Sequence, residues 1–124
     1  MPGRIKLLLV DDEEAYVNVL ANRLMRRDMD VTKAYSGSEG IQALRGQDFH
    51  VAVLDLKMED MDGIEVLKIF KKMDPKLKVI MLTGHGSAQA AREGIALGAS
   101  GYLTKPCELD ELVELIRKTA SKEV

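Results

Sequence analysis

An open, doubly wound α/β sheet built from five βα units is the fold class this sequence predicts, and three observations carry the prediction. Short apolar runs alternate with stretches of helical spacing along the whole chain. Three of the runs, Leu7–Val10, Val51–Leu54 and Val79–Leu82, are continuous rather than alternating, as strands buried on both faces of a parallel sheet are. Acidic residues directly follow two of those runs, at the carboxyl ends where open parallel sheets place their function. The alternation implies right-handed βαβ crossovers. The units fill residues 1–124, so a single domain is expected.

The first strand is expected over Ile5–Val10, followed by a helix with Tyr16, Val17, Leu20 and Leu24 on one face. The second run, Asp30–Ala34, is more polar, as an edge strand is. A short second helix begins near Ser38 and carries Ile41 and Leu44. After the third strand, Val51–Leu54, comes a helix marked by Ile64, Leu67 and Phe70 and stopped at Asp74-Pro75, because proline cannot continue it. Lys78–Leu82 forms the fourth strand. Its helix is rich in small residues, marked by Ala88, Ala91 and Ile95, and Gly98 ends it. The fifth strand is Gly101–Leu103, and Leu109, Leu112, Val113, Ile116 and Ala120 make the stripe of the last helix.

Composition narrows the function. A chain of 124 residues is about the size of one domain. With 18 basic and 20 acidic residues there is no basic excess for a dedicated nucleic-acid interface. One cysteine excludes an intramolecular disulfide or multi-cysteine zinc site, and a reducing, cytoplasmic setting is expected. No apolar run is long enough to span a membrane, and Met1-Pro2-Gly3-Arg4 lacks the apolar segment of a secretory signal. The five aromatic residues, Tyr16, Tyr35, Phe49, Phe70 and Tyr102, are too few for a base-stacking platform, so the core must be aliphatic.

The strand ends read Asp11-Asp12, Asp55, Thr83-Gly84 and Lys105-Pro106. A single Asp in such a place commonly caps the next helix, and Asp12 fits that role too. Acids on two strands, with a threonine and a lysine on the other two, are harder to explain as caps. Two carboxylates about 5 Å apart at an effective dielectric of about 20 repel by roughly 3 kcal/mol. Such a cluster stays ionised only if cations join it. Lys105 supplies one positive charge, and oxygen-only ligands suit Mg²⁺ better than zinc. A carboxylate beside Mg²⁺, a lysine and a hydroxyl is a constellation for phosphoryl transfer, with Asp as the nucleophile that forms an acyl phosphate.

Four segments, Leu7–Glu13 (LLLVDDE), Leu54–Glu65 (LDLKMEDMDGIE), Met81–Gly86 (MLTGHG) and Tyr102–Pro106 (YLTKP), occur in the order and on the elements of one family. From about Ile5 to Ser121 the chain resembles the receiver domain of two-component response regulators. The resemblance implies a flavodoxin-like fold with strand order 2-1-3-4-5. It makes Asp55 the phosphoacceptor, and Asp11, Asp12, Asp55 and the Lys57 backbone carbonyl the Mg²⁺ ligands. Thr83, Gly84 and Lys105 would hold the phosphoryl group, Pro106 would follow a cis bond, and Tyr102 would be the aromatic that moves with Thr83. The implied partners are a histidine kinase or phosphotransfer protein. A second copy or an effector would dock on the face of the fourth helix, fifth strand and fifth helix. Glu59 stands where many receivers have proline, so the loop before Gly63 is expected to be shaped differently.

Two other functional classes remain open at this stage: a small Mg²⁺-dependent phosphatase with an Asp nucleophile, and an interaction module that is never phosphorylated. The phosphatase class usually places a second acid where this chain has Lys57. Among the remaining residues, His85 is a candidate for assisting water and His50 is expected in a loop. Cys107 lies at the start of the last helix, whose dipole could lower its pKa, but a filler or cap role is the expectation. Glu111, Glu114, Arg117 and Lys118 are expected on a solvated face. Asp60-Met61-Asp62-Gly63 hints at an EF-hand loop, but that register would need ligands at Met58 and Ile69.

Overall fold

The continuous apolar runs occupy the middle of a five-stranded sheet in the computed structural model, which describes residues 4–84 and 88–121. The elements follow as β1 (Ile5–Val10), α1 (Glu14–Met25), β2 (Met29–Ala34), α2 (Gly37–Gly46), β3 (Val51–Asp55), α3 (Gly63–Met73), β4 (Lys78–Thr83), α4 (Ala88–Ala96), β5 (Gly101–Thr104) and α5 (Leu109–Ser121). Every strand pair is parallel and the order is β2-β1-β3-β4-β5. The flavodoxin-like topology expected from the sequence is therefore the one observed, with the polar second strand at one edge.

Alternate residues of the central strands point to opposite faces. Leu8, Val10, Ala52, Leu54, Val79 and Met81 pack under α2 and α3, with Leu44, Leu67 and Phe70 above them. Leu7, Leu9, Val51, Val53, Ile80 and Leu82 face α1 and α5, against Val17, Leu20, Leu24, Leu112, Val113 and Ile116. Both cores are aliphatic apart from Phe70 and Phe49.

Several local expectations shift. Helix α2 starts at Gly37, beside Ser38, and Ser36 caps it, its hydroxyl accepting from the Glu39 N–H. Strand β2 starts at Met29, and Asp28 makes the preceding turn with φ +66°. On α4 the buried residues are Ala91 and Gly94, while Ala88 and Ile95 are exposed. The face is rotated because Gly94 lies against Met81: a Cβ there would sit 2.1 Å from the Met81 sulfur. Helix and sheet approach closely only where the side chain is missing. On α5, Thr119 joins the buried stripe. Gly98 ends α4 with φ +111°, as expected.

Register then brings the chemistry together. Val10 pairs with Leu54, so Asp11 and Asp55 are the next residues on adjacent strands. Thr83 pairs with Thr104, so Lys105 is the next residue beyond Thr83's partner.

Candidate functional site

Asp11 leaves β1 fully buried, its N–H donating to the Ala34 carbonyl at 3.1 Å. One of its carboxylate oxygens accepts from the Glu13 N–H (3.0 Å) and the other from the Lys105 ammonium (2.7 Å). Asp55 ends β3 and is 5% exposed. Its Oδ1 accepts from the Lys57 N–H at 3.4 Å and lies 3.7 Å from Lys105 Nζ. Asp12 does not cap α1. Its Oδ2 accepts from the Glu59 N–H at 2.9 Å, and Glu13 occupies the cap position without a side-chain hydrogen bond. Oxygens from Asp11, Asp12 and Asp55 lie within 4.8 Å of one another.

Electrostatics follow from this crowding. Burial first, and the charge of Asp11 second, push the Asp55 carboxyl up to about 6. Burial alone would lower the Lys105 pKa, but its hydrogen bond to Asp11 and the surrounding carboxylates hold the ammonium above the usual lysine range. Glu13 Oε1 adds a contact at 3.1 Å, and the Tyr16 ring centroid lies 4.7 Å from the ammonium. Burial raises the Tyr16 phenol to about 12.

Thr83 is buried at the end of β4, and its hydroxyl donates to the Leu103 carbonyl at 3.5 Å. Its own carbonyl accepts from the Lys105 N–H at 2.7 Å. The Lys105-Pro106 bond is cis. Among the described residues, a Cβ on Gly84 would meet nothing within 4 Å. Tyr102 on β5 is 46% exposed. Lys57 is exposed and forms an isolated antiparallel bridge with Asp62. His85 lies outside the described residues.

The structure thus brings Asp11, Asp12, Asp55 and Lys105 into one cluster, with Thr83 at the adjoining strand end and Tyr102 outward on the neighbouring strand. The donor set is all oxygen, without sulfur or imidazole, and suits a hard divalent cation. Cys107 packs as a filler, and burial, ahead of the charge of Glu111, raises its thiol. The residue precedes α5 and packs beside the α1 core. His50 is more tied than a loop residue, since its Nδ1 accepts from the Lys6 N–H at 2.9 Å. Glu111, Glu114, Arg117 and Lys118 are exposed, as a solvated face requires.

Sequence reasoning missed Glu13 and Tyr16 as neighbours of Lys105. Glu13 adjoins the acidic pair and was findable on that ground. Nothing local marks Tyr16, because Lys105 arrives from the far end of the chain. Asp60 was also missed: its carboxylate accepts from the Gly37 and Ser38 N–H groups, both at 3.0 Å, and from the Ser38 hydroxyl at 2.9 Å. These bonds, the Gly37 N–H foremost, hold the Asp60 carboxyl below the usual range.

Comparison with known proteins agrees with this geometry. The chain is 34% identical over 116 residues to the transcriptional regulatory protein ZraR of Salmonella typhimurium, covering 94% of this chain and 26% of that protein. It is 32% identical over 110 residues to the photosynthetic apparatus regulatory protein RegA of Cereibacter sphaeroides, covering 89% of this chain and 60% of that one. This chain therefore spans about a quarter of the length of ZraR and less than two thirds of RegA. Among solved structures, a CheY-like response regulator receiver domain from Methanospirillum hungatei superposes with a TM-score of 0.91 at 30% identity, covering 95% of this chain and 94% of that one. A family model described as the response regulator receiver domain matches residues 7–117, and with that match and the cluster at the carboxyl edge of its sheet, the chain belongs to the response regulator receiver domain family.

Proposed function

We propose that this chain is a phosphorylation-activated switch in which Asp55 accepts a phosphoryl group from a phosphohistidine on a kinase or phosphotransfer protein. An Asp55 carboxylate oxygen attacks phosphorus, the P–N bond breaks, and the imidazole leaves with the bonding pair. The observation that carries the reading is the convergence of three carboxylates and the Lys105 ammonium around one strand end.

Asp11, Asp12, Asp55 and the Lys57 carbonyl would hold Mg²⁺, which when bound shields the charge on the phosphoryl oxygens. Lys105 and the Thr83 hydroxyl would bind those oxygens, and the missing side chain of Gly84 would leave room for them. Lys105 is shared between Asp11 and Asp55 in the unphosphorylated protein. A phosphoryl group brings roughly −1.5 to −2 charges, enough to draw the ammonium and Thr83 toward Asp55. The exposed Tyr102 ring would follow Thr83 inward. Tyr102 and the exposed Ile95 border a cleft with Leu103, Val113 and Glu114, which supports this face as the partner or dimer surface.

We read residues 1–124 as one receiver domain that acts in the cytoplasm and catalyses only its own phosphorylation and slow dephosphorylation. Among the described residues no helix is long and apolar enough to cross a membrane. Incubation with Mg²⁺ and acetyl phosphate, followed by intact mass, tests the reading. A gain of one phosphoryl group that is absent in Asp55→Ala supports it. Sustained turnover of free phosphate esters would favour a phosphatase, and no mass gain would sink the switch.

A further inference from the structure

Asp60 stands outside the cluster of acids, yet it fastens the loop that serves it. Residues 57–62 leave β3 and return to α3, and three kinds of bond hold them. Lys57 bridges to Asp62 at the base. The Glu59 N–H donates to Asp12 Oδ2 at 2.9 Å. The adjacent Asp60 carboxylate takes the Gly37 N–H on one oxygen and the Ser38 N–H and hydroxyl on the other.

Gly37 and Ser38 begin α2, so their N–H groups are free of intrahelical partners and point at the loop. Ser36 already satisfies the Glu39 N–H. Asp60 therefore completes the cap of a helix that belongs to a different part of the chain. Helix α2 is itself rigidly seated: a Cβ on Gly37 would sit 2.9 Å from Val66, and one on Gly40 3.1 Å from Val10. The anchor does not give easily.

A proline at position 59, common in this family, has no N–H to donate. In this chain the Glu59 N–H donates to Asp12 Oδ2, and among the described residues Asp12 Oδ1 has no hydrogen bond. The orientation depends on where residue 59 is held, and the next residue is the one clamped to α2.

We infer that Asp60 is a positioning residue for the cation site: by pinning the 57–62 loop to the start of α2 it fixes the Glu59 N–H, which in turn aims the Asp12 carboxylate. This rests on the reading of the acidic cluster as a Mg²⁺ site. The partners of a metal ligand set its orientation, and losing them weakens binding.

The test is calorimetric titration of the chain with MgCl₂, with Glu59 and Lys57 amide shifts followed by NMR in the same titration. Asp60→Ala should raise the Mg²⁺ dissociation constant about 3- to 10-fold, at or below the roughly 10-fold lower limit for losing a direct partner of a ligand, because Asp60 acts one residue further away. Asp60→Asn keeps a carbonyl oxygen for the Gly37 N–H and should recover most of the affinity. Glu59→Pro removes the donor and should weaken binding like Asp60→Ala, whereas Glu59→Ala keeps it and should bind like the parent. A purely structural cap would lower the metal-free melting temperature in Asp60→Ala and leave the affinity of the folded variant unchanged, which overturns the inference alone. Failure of the unaltered chain to bind Mg²⁺ overturns the cation-site reading and this inference with it. A Glu59→Pro variant that binds as tightly as the parent shows that the Glu59 N–H is not the route, and also overturns it.

Discussion

Asp55 carries a charge that its surroundings disfavour. Its pKa lies at about 6 against an ordinary 3.8, so the folded state binds the Asp55 proton more tightly than the unfolded chain does. Its ionisation therefore costs stability above about pH 6, and that cost disappears as pH falls below the unfolded value. Without metal, Asp55→Asn should raise the unfolding free energy at pH 8 by about 1–3 kcal/mol, the worth of a shift of about two units. The gain should fade toward pH 4, and denaturant titrations at the two pH values check it. Only the carboxylate is nucleophilic, and Mg²⁺ at the cluster would favour it, so under the proposed function the rate with acetyl phosphate and Mg²⁺ should fall only at a pH below the metal-free value of about 6. Lys105 has the opposite sign of importance. Lys105→Met leaves Asp11 buried without its 2.7 Å partner, and should cost about 2–4 kcal/mol at neutral pH. Adding Asp11→Asn should recover much of that loss, and a double-mutant cycle measures it.

Helix α4 depends on a missing side chain. Gly94→Ala would drive a methyl into the Met81 sulfur, forcing the buried Met81 side chain to repack at a cost of about 1–3 kcal/mol. Gly84→Ala meets no side chain or backbone within 4 Å among the described residues, and its effect on stability should stay within about 0.5 kcal/mol. The pair separates packing from approach to the site, because Gly84→Ala should still slow the reaction with acetyl phosphate by narrowing that approach. Equal stability losses in the two variants would contradict the packing argument. Helix α5 shows how far periodicity reads correctly: Leu112, Val113 and Ile116 are buried as spaced. Helix α4 shows where it misleads. Its apolar content is too low to define a face, and Gly94 is invisible to a hydrophobic pattern although it decides the contact.

Across the whole molecule, a sheet of fixed order gathers charges that no local segment would hold. Mg²⁺ binding to the folded state alone should stabilise the chain by about 1.4 kcal/mol at a tenfold excess over its dissociation constant. The melting temperature should rise by several degrees, EDTA should reverse the shift, and Asp12→Asn should abolish most of it. A thermal melt that ignores Mg²⁺ would contradict the cation-site reading.

The order of elements, the buried strands and the convergence of Asp11, Asp12, Asp55, Thr83 and Lys105 at the carboxyl edge of the sheet were legible in the sequence. Apolar runs define central strands by burial alone, and each polar residue sits immediately after such a run. Tertiary structure decided the rest. It set which face of α4 is buried, that Asp12 accepts from Glu59 rather than capping α1, that Glu13 and Tyr16 surround Lys105, and that Asp60 holds the start of α2. Periodicity records how each segment meets water. Hydrogen bonds and ion pairs between residues distant in the chain depend on register and crossover, which no single segment encodes.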